Sequence, residues 1–355
     1  MKTARPVLSL PAPINCFAAF LCLILSAGLA VAQDVENVFI ATGGIRGPSK
    51  EIETGTIHIS SDGKRWEPVF TGGLVKDHFT HGTDNMVRAL TYGNGRLVAA
   101  GNKGIGVLTS TDGRNWKHVA EEPGEGPGGF TIAFDGEKFL IPTASHFHVS
   151  TDGLNWETTN MSDQLRERHG VGPWDGVGHV RRVVGQNGVF VFAGGRRFGA
   201  TADGKTFLHH EILPPGEKRG DYHLLAGNGR FIFLSEEGHQ TSTDGVKWEP
   251  LVIDSSVPEI VKSQTSGVWT GEAFVVQGKD AVYRSTDGLQ WEVIPVESGN
   301  PDITTAGNGF LFGNVWQAFR ISEDGGKTWT QIEQEIPARQ VYFFDGEQMI
   351  GSGGG

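Results

Sequence analysis

One phrase recurs seven times along this 355-residue chain: Ser or Thr, any residue, Asp, Gly, two further residues, then an aromatic. Its aspartates are Asp62, Asp112, Asp152, Asp203, Asp244, Asp287 and Asp324, roughly 40 to 50 residues apart. Six copies end in tryptophan and the fourth in Phe207; the last, Ser322-Glu-Asp324-Gly-Gly326-Lys-Thr-Trp329, is one residue longer. A unit of this length cannot bury its apolar face alone, so the period specifies an array of equivalent units stacked on one another.

The unit at 87–119 shows the grammar. Short β-prone runs at 87–92, 97–100, 107–111 and 116–119 are separated by a Gly93-Asn-Gly95 turn, a loop and Asp112-Gly113, the dipeptide of a tight hairpin. Helical periodicity is absent throughout. The same inner-strand pattern precedes Gly136, Gly188, Gly229, Gly271, Gly309 and Gly346. The last copy has no Asp-Gly after it, and the first Asp-Gly has no full inner strand before it, so the two ends complement each other. The expectation is an all-β, seven-bladed β-propeller of four-stranded antiparallel blades, closed by a strand near 340–344 pairing with N-terminal strands.

The first 32 residues read as a signal peptide: Lys2 and Arg5, an apolar run over 16–30, and Ala30-Val-Ala32 ahead of the cut. That run is shorter than the ~20 residues of a spanning helix. Residues 33–355 then form a single propeller domain, secreted to the periplasm or beyond the cell. Cys16 and Cys22, the two cysteines, leave with the signal, which excludes disulfides and thiolate chemistry from the mature chain. The net charge of −11 becomes more negative when Lys2 and Arg5 leave with the signal, a balance unlike that of a nucleic-acid binder.

The phrase resembles the Asp-box, or bacterial neuraminidase repeat, of the sialidase-like superfamily. Residues 322–329 match its Ser-x-Asp-x-Gly-x-Thr-Trp pattern fully, and the other six copies lack one residue between Asp and Gly. The resemblance implies a propeller and leaves activity open, since such repeats occur in sialidases, xyloglucanases, photosystem II assembly factors and sortilin-type receptors. No Arg-Ile-Pro precedes the first box, and seven units exceed the six blades usual for sialidases; both departures argue against a sialidase.

In such a topology the short 1–2 and 3–4 turns share one face. The length variation at 43–55, 67–86, 157–178 and 208–220 lies on the other, where binding concentrates. Seven residues before each inner turn glycine stand Arg88, Gly129, Arg181, Tyr222, Gln264, Asp302 and Arg339. These positions ring the channel mouth, and three guanidinium forks there suit a carboxylate, sulfate or phosphate. Arg196, Arg197, His81, His146 and Trp316 complete the candidate ligand-binding set on that face. Asp-box aspartates themselves read as turn-forming.

The leading functional reading is recognition of an anionic ligand, an acidic glycan or a protein partner. The alternative is a polysaccharide lyase or glycoside hydrolase on acidic sugars. In that case His179, Tyr222, His223 and Asp302 are the candidate acid and base groups, with Asp84, Asp175 and Asp221 as further carboxylates. An assembly scaffold is a third reading. His78-x-x-His81 and His146-x-His148 have spacings compatible with a divalent ion, but no metal is assigned. No Gly-x-Ser-x-Gly or phosphate-cradling loop occurs, so no cofactor is expected.

Overall fold

The repeat does fold as strands. The computed structural model describes residues 37–46, 52–72, 85–101, 104–119, 129–172, 175, 178–213, 217, 222–253, 267–277, 281–295, 302–307, 310–315, 318–324, 328–346 and 349–350. The signal-peptide reading lies outside them. All the described elements belong to one unit, Val35–Gly355. In the 87–119 repeat, β4 (Val87–Gly93), β5 (Arg96–Gly101), β6 (Val107–Ser110) and β7 (Lys117–His118) pair in chain order. Asn94 and Gly95 both take positive φ, 48° and 73°, as a turn whose twist matches the strands requires. β5 and β6 are buried along most of their length and β7 is not, so the sheet packs on both faces inside and meets solvent at its outer edge.

Five more sheets repeat this order. They are β8 (Ala133–Phe134) to β11 (Glu157–Asn160) through β9 (Phe139–Pro142) and β10 (His146–Ser150); and β12 (Arg182–Gln186), β13 (Val189–Gly194), β14 (Arg197–Thr201) and β15 (His209–Ile212). Next come β16 (Tyr222–Gly227), β17 (Arg230–Ser235), β18 (Gly238–Ser242) and β19 (Glu249–Pro250). The last two are β20 (Gly267–Trp269), β21 (Phe274–Gln277), β22 (Ala281–Ser285) and β23 (Glu292–Pro295), then β24 (Asp302–Gly307), β25 (Phe310–Val315), β26 (Ala318–Ser322) and β27 (Thr330–Gln331). The protein is an all-β propeller with four-stranded antiparallel blades.

The expectation of seven four-stranded blades is corrected: among the described residues there are six. The remaining sheet joins both ends of the chain and has five, in the order β29 (Met349–Ile350), β28 (Ala338–Phe344), β1 (Val38–Arg46), β2 (Ile52–Ser60) and β3 (Glu67–Gly72). The pairing of β28 with β1 matches the expected closure. What differs is β29, which covers the free edge of β28 and accepts a 2.7 Å hydrogen bond from Thr305 Oγ1 at Ile350 O. Much of 43–55, read as a loop, is strand. Its glycines are there for close approach: a Cβ on Gly43 would lie 2.5 Å from Ala338 Cα, and one on Gly55 2.5 Å from Asn85 O. A second correction is α1 (Ser162–His169), a helix where none was expected. Met161 and Leu165, spaced by four, bury its one apolar edge, and Gly170 ends it at φ 66°. Two apolar residues are too few for a visible periodicity.

The repeated Asp-Gly turn, or box, is a longer loop than a two-residue hairpin. Six residues separate β6 from β7, and within the box only glycine takes positive φ. In the copy at Asp152, Oδ1 accepts from Leu154 N at 2.8 Å, Asn155 N at 2.7 Å and Ser150 Oγ at 3.0 Å; Oδ2 accepts from Asn155 Nδ2 at 2.7 Å. The backbone N–H of Asn155 leads a set of donors that hold this carboxyl well below the usual range, and that of Arg65 does the same for Asp62. The glycine and aromatic face the preceding sheet. A Cβ on Gly204 would lie 2.1 Å from Val149 Cγ2, and one on Gly288 2.3 Å from Ile232 Cδ1. Trp156 packs with Val98 and Ala100, and Phe207 with Leu140 and Phe147. Asn94 Nδ2 donates across the same seam to Thr151 O at 2.7 Å, inside the next box.

These bonds generate a stability prediction. Removing the acceptor with Asp152→Ala is expected to cost about 1–3 kcal/mol of unfolding free energy by denaturant titration. Depressed box carboxyls mean that the unfolded chain takes up protons first, so their contribution is full above about pH 4 and lost as pH falls through the lower folded values. The wild-type denaturation midpoint is expected to drop between pH 5 and pH 2; a flat profile contradicts this role for the boxes.

Candidate functional site

Box turns and 1–2 turns share a side, as the Asn94–Thr151 bond shows. The 2–3 turns and sheet-to-sheet connections therefore share the other, and inner strands begin there. Arg88 is the second residue of β4, Tyr222 the first of β16, Asp302 the first of β24 and Arg339 the second of β28; Arg181 immediately precedes β12. Gly129 donates its N–H to Gly101 O. Gln264, His78, His81, Asp84, Trp174, Asp221 and Trp316 lie outside the described residues.

Two candidates meet on one ring. The Arg88 guanidinium lies over Phe130, 4.7 Å from its centroid, and His179 meets the same ring edge-on at 5.3 Å. Burial pushes the His179 pKa below its ordinary value, and the charges of Arg181 and Arg197 push it further. Phe130 had no signal in the sequence beyond being an aromatic next to the aligned Gly129. Arg182, one residue past the aligned position, was missed for that reason. Burial lowers its pKa while Tyr222 and Tyr342 oppose the shift, so side chains from β12, β16 and β28 share one interior.

Other candidates are engaged elsewhere. His223 is 1% exposed, and strand alternation turns it away from Tyr222, which stacks on Phe233 at 5.5 Å. Arg196 donates to Leu213 O at 2.7 Å and to Asp175 O at 3.3 Å. Arg197, fully buried, donates to Ala144 O at 2.8 Å. His146 Nδ1 lies 2.8 Å from Ser145 Oγ, and His148 Nδ1 2.8 Å from Thr158 Oγ1. Burial, then His146, pushes His148 down to about 4. The two rings are nearly parallel at 6.3 Å, and among the described residues no group of three metal-ligating side chains gathers. A groove is lined by Phe198 and Phe233 together with Glu211, Glu237 and Gln240. Its sign is opposite to that of the arginines.

No family model matches the chain, and no curated protein matches it. Solved structures do. YCF48 bound to D1 peptide is similar at 15% identity and a TM-score of 0.48, covering 75% of this chain and 94% of that one. Virginiamycin B lyase from Staphylococcus aureus is similar at 12% and 0.49, covering 76% and 94%. AztD from Citrobacter koseri is similar at 10% and 0.47, covering 89% and 98%. Identities this low leave activity and partners unaddressed. Among the described residues no helix is long and apolar enough to cross a membrane.

The electrostatic coupling at the mouth is measurable. In wild type the His179 imidazole is expected to titrate below 6.5 by NMR. Arg181→Ala removes a neighbouring cation and is expected to raise that value. An unchanged titration contradicts the proximity of the two groups.

Proposed function

We propose that this is an exported Asp-box propeller that recognises an anionic ligand, an acidic glycan or an acidic segment of a protein, where its innermost strands begin. The observation that supports this reading is the convergence of Arg88 and His179 on Phe130, with the exposed Arg181 beside them. A guanidinium held over an aromatic ring is pre-oriented, so less side-chain freedom is lost when an anion docks. A cationic mouth on a chain of net charge −11 favours anions locally while the remaining surface repels them. Export rests on the leader at 1–32.

The alternative is a lyase for uronate-containing chains. Arginine would neutralise the carboxylate next to the abstracted proton, and His179, held toward its neutral form, would act as base. An unsaturated product absorbing in the ultraviolet identifies that activity.

The test is calorimetric binding of an acidic oligosaccharide and acidic peptide panel to wild type and to the Arg88→Ala/Arg181→Ala/Arg339→Ala variant. At least one anionic class is expected to bind wild type, tenfold or more above the triple variant, with affinity falling as salt rises. Equal binding by both proteins contradicts the arginine site.

A further inference from the structure

A buried polar chain runs from the β12–β15 sheet to the end of α1. Arg197, 0% exposed, donates from Nη1 to Ala144 O at 2.8 Å and Thr143 O at 3.4 Å, and from Nε to His210 Nε2 at 3.4 Å. Among the described residues its Nη2 meets no acceptor and no carboxylate pairs with it. His210, 8% exposed, stacks on Phe207 at 4.2 Å and holds its Nδ1 2.8 Å from His169 Nε2. His169 is the last residue of α1.

Chemistry allows one proton arrangement. A guanidinium only donates, so His210 Nε2 must accept and its proton sits on Nδ1. That N–H points at His169 Nε2, which must accept in turn, leaving the His169 proton on Nδ1. Both imidazoles are therefore neutral. A proton added to His169 goes to Nε2, the one nitrogen already committed as acceptor. The two N–H groups then oppose each other, and a new positive charge faces His210 and Arg197 from the sheet and Arg168 from its own helix. Among the described residues the charges acting on the pair are those of Arg168, Arg197 and His209, and none is a carboxylate.

We propose that the Arg197–His210–His169 chain is an acid-released latch, holding the last turn of α1 against the β12–β15 sheet at neutral pH and letting it go when His169 takes up a proton. The earlier part of α1 stays docked through Leu165 and through Gln164 Oε1, which accepts from Phe207 N at 3.2 Å. Burial, then Arg168 and Arg197, holds the His169 pKa below its ordinary value. The sign follows: the open form binds the proton more readily, so the latch is at full strength above about pH 6.5 and weakens as pH falls through the lower folded value. This window lies above the one in which the box carboxylates titrate.

Amide hydrogen exchange on the mature chain from pH 7.5 to pH 5, corrected for intrinsic rates, tests the latch. The reporter is the Gly170 amide, bonded to Arg166 O, with the β13 amides as internal reference. In wild type, Gly170 protection is expected to fall by up to tenfold per pH unit below the transition while β13 stays constant. His169→Asn keeps a side-chain acceptor without a titrating group and is expected to give a flat profile. His169→Lys, permanently charged, is expected to show low protection at every pH. A flat wild-type profile, an Asn variant that falls in parallel with wild type, or loss of β13 protection in the same window overturns the proposal.

Discussion

The fold depends on the fit of the box against the sheet before it, as at Gly153, Gly204, Gly245 and Gly288. A glycine at positive φ lets the turn close, and the missing Cβ lets that turn sit directly on the aliphatic side chains of the neighbour. The aromatic three residues later fills the seam from the outside. The box aspartate serves the same contact indirectly, satisfying the backbone donors of the turn so that a polar loop can approach an apolar one. The Ser, Asp, Gly and aromatic positions of the repeated phrase are thereby used in the turn and its packing.

The residues that do not repeat lie elsewhere. The opposite side carries α1, the 2–3 turns and the starts of the inner strands, where residues differ from sheet to sheet. Several arginines there hold the architecture: Arg196 and Arg197 bond backbone carbonyls of connecting segments. Arg88 lies over Phe130, with His179 on the same ring.

Much of the architecture was legible because its signals are local. The Asn94-Gly95 turn, the four strands of the 87–119 repeat and the pairing of the last long strand with the first all follow from residue type and period. What escaped depends on contacts distant in sequence. Gly43 and Gly55 read as loop residues because their justification is the nearby backbone of Ala338 and Asn85. The covering strand at Met349–Ile350 is two residues long, below any pattern threshold. Alignment on turn glycines located Arg88, Arg181, Tyr222 and Arg339, but it did not reveal Phe130 or Arg182, whose roles come from neighbours across the ring. His223 illustrates the reverse failure: adjacency to Tyr222 in sequence puts it on the opposite side of the strand.

The seam contact can be isolated with two glycines that share a backbone conformation. Gly95 has φ +73° and open space around it; Gly204 has φ +65° and Val149 in the way. Alanine at Gly95 carries only the left-handed penalty of about 1–2 kcal/mol, whereas alanine at Gly204 adds steric overlap. Unfolding free energies of Gly204→Ala, Gly95→Ala and the Gly204→Ala/Val149→Ala pair measure the difference. The account predicts that Gly204→Ala costs at least ~1 kcal/mol more than Gly95→Ala and that Val149→Ala partly relieves it. Equal costs at the two glycines, with an additive cycle, would contradict it.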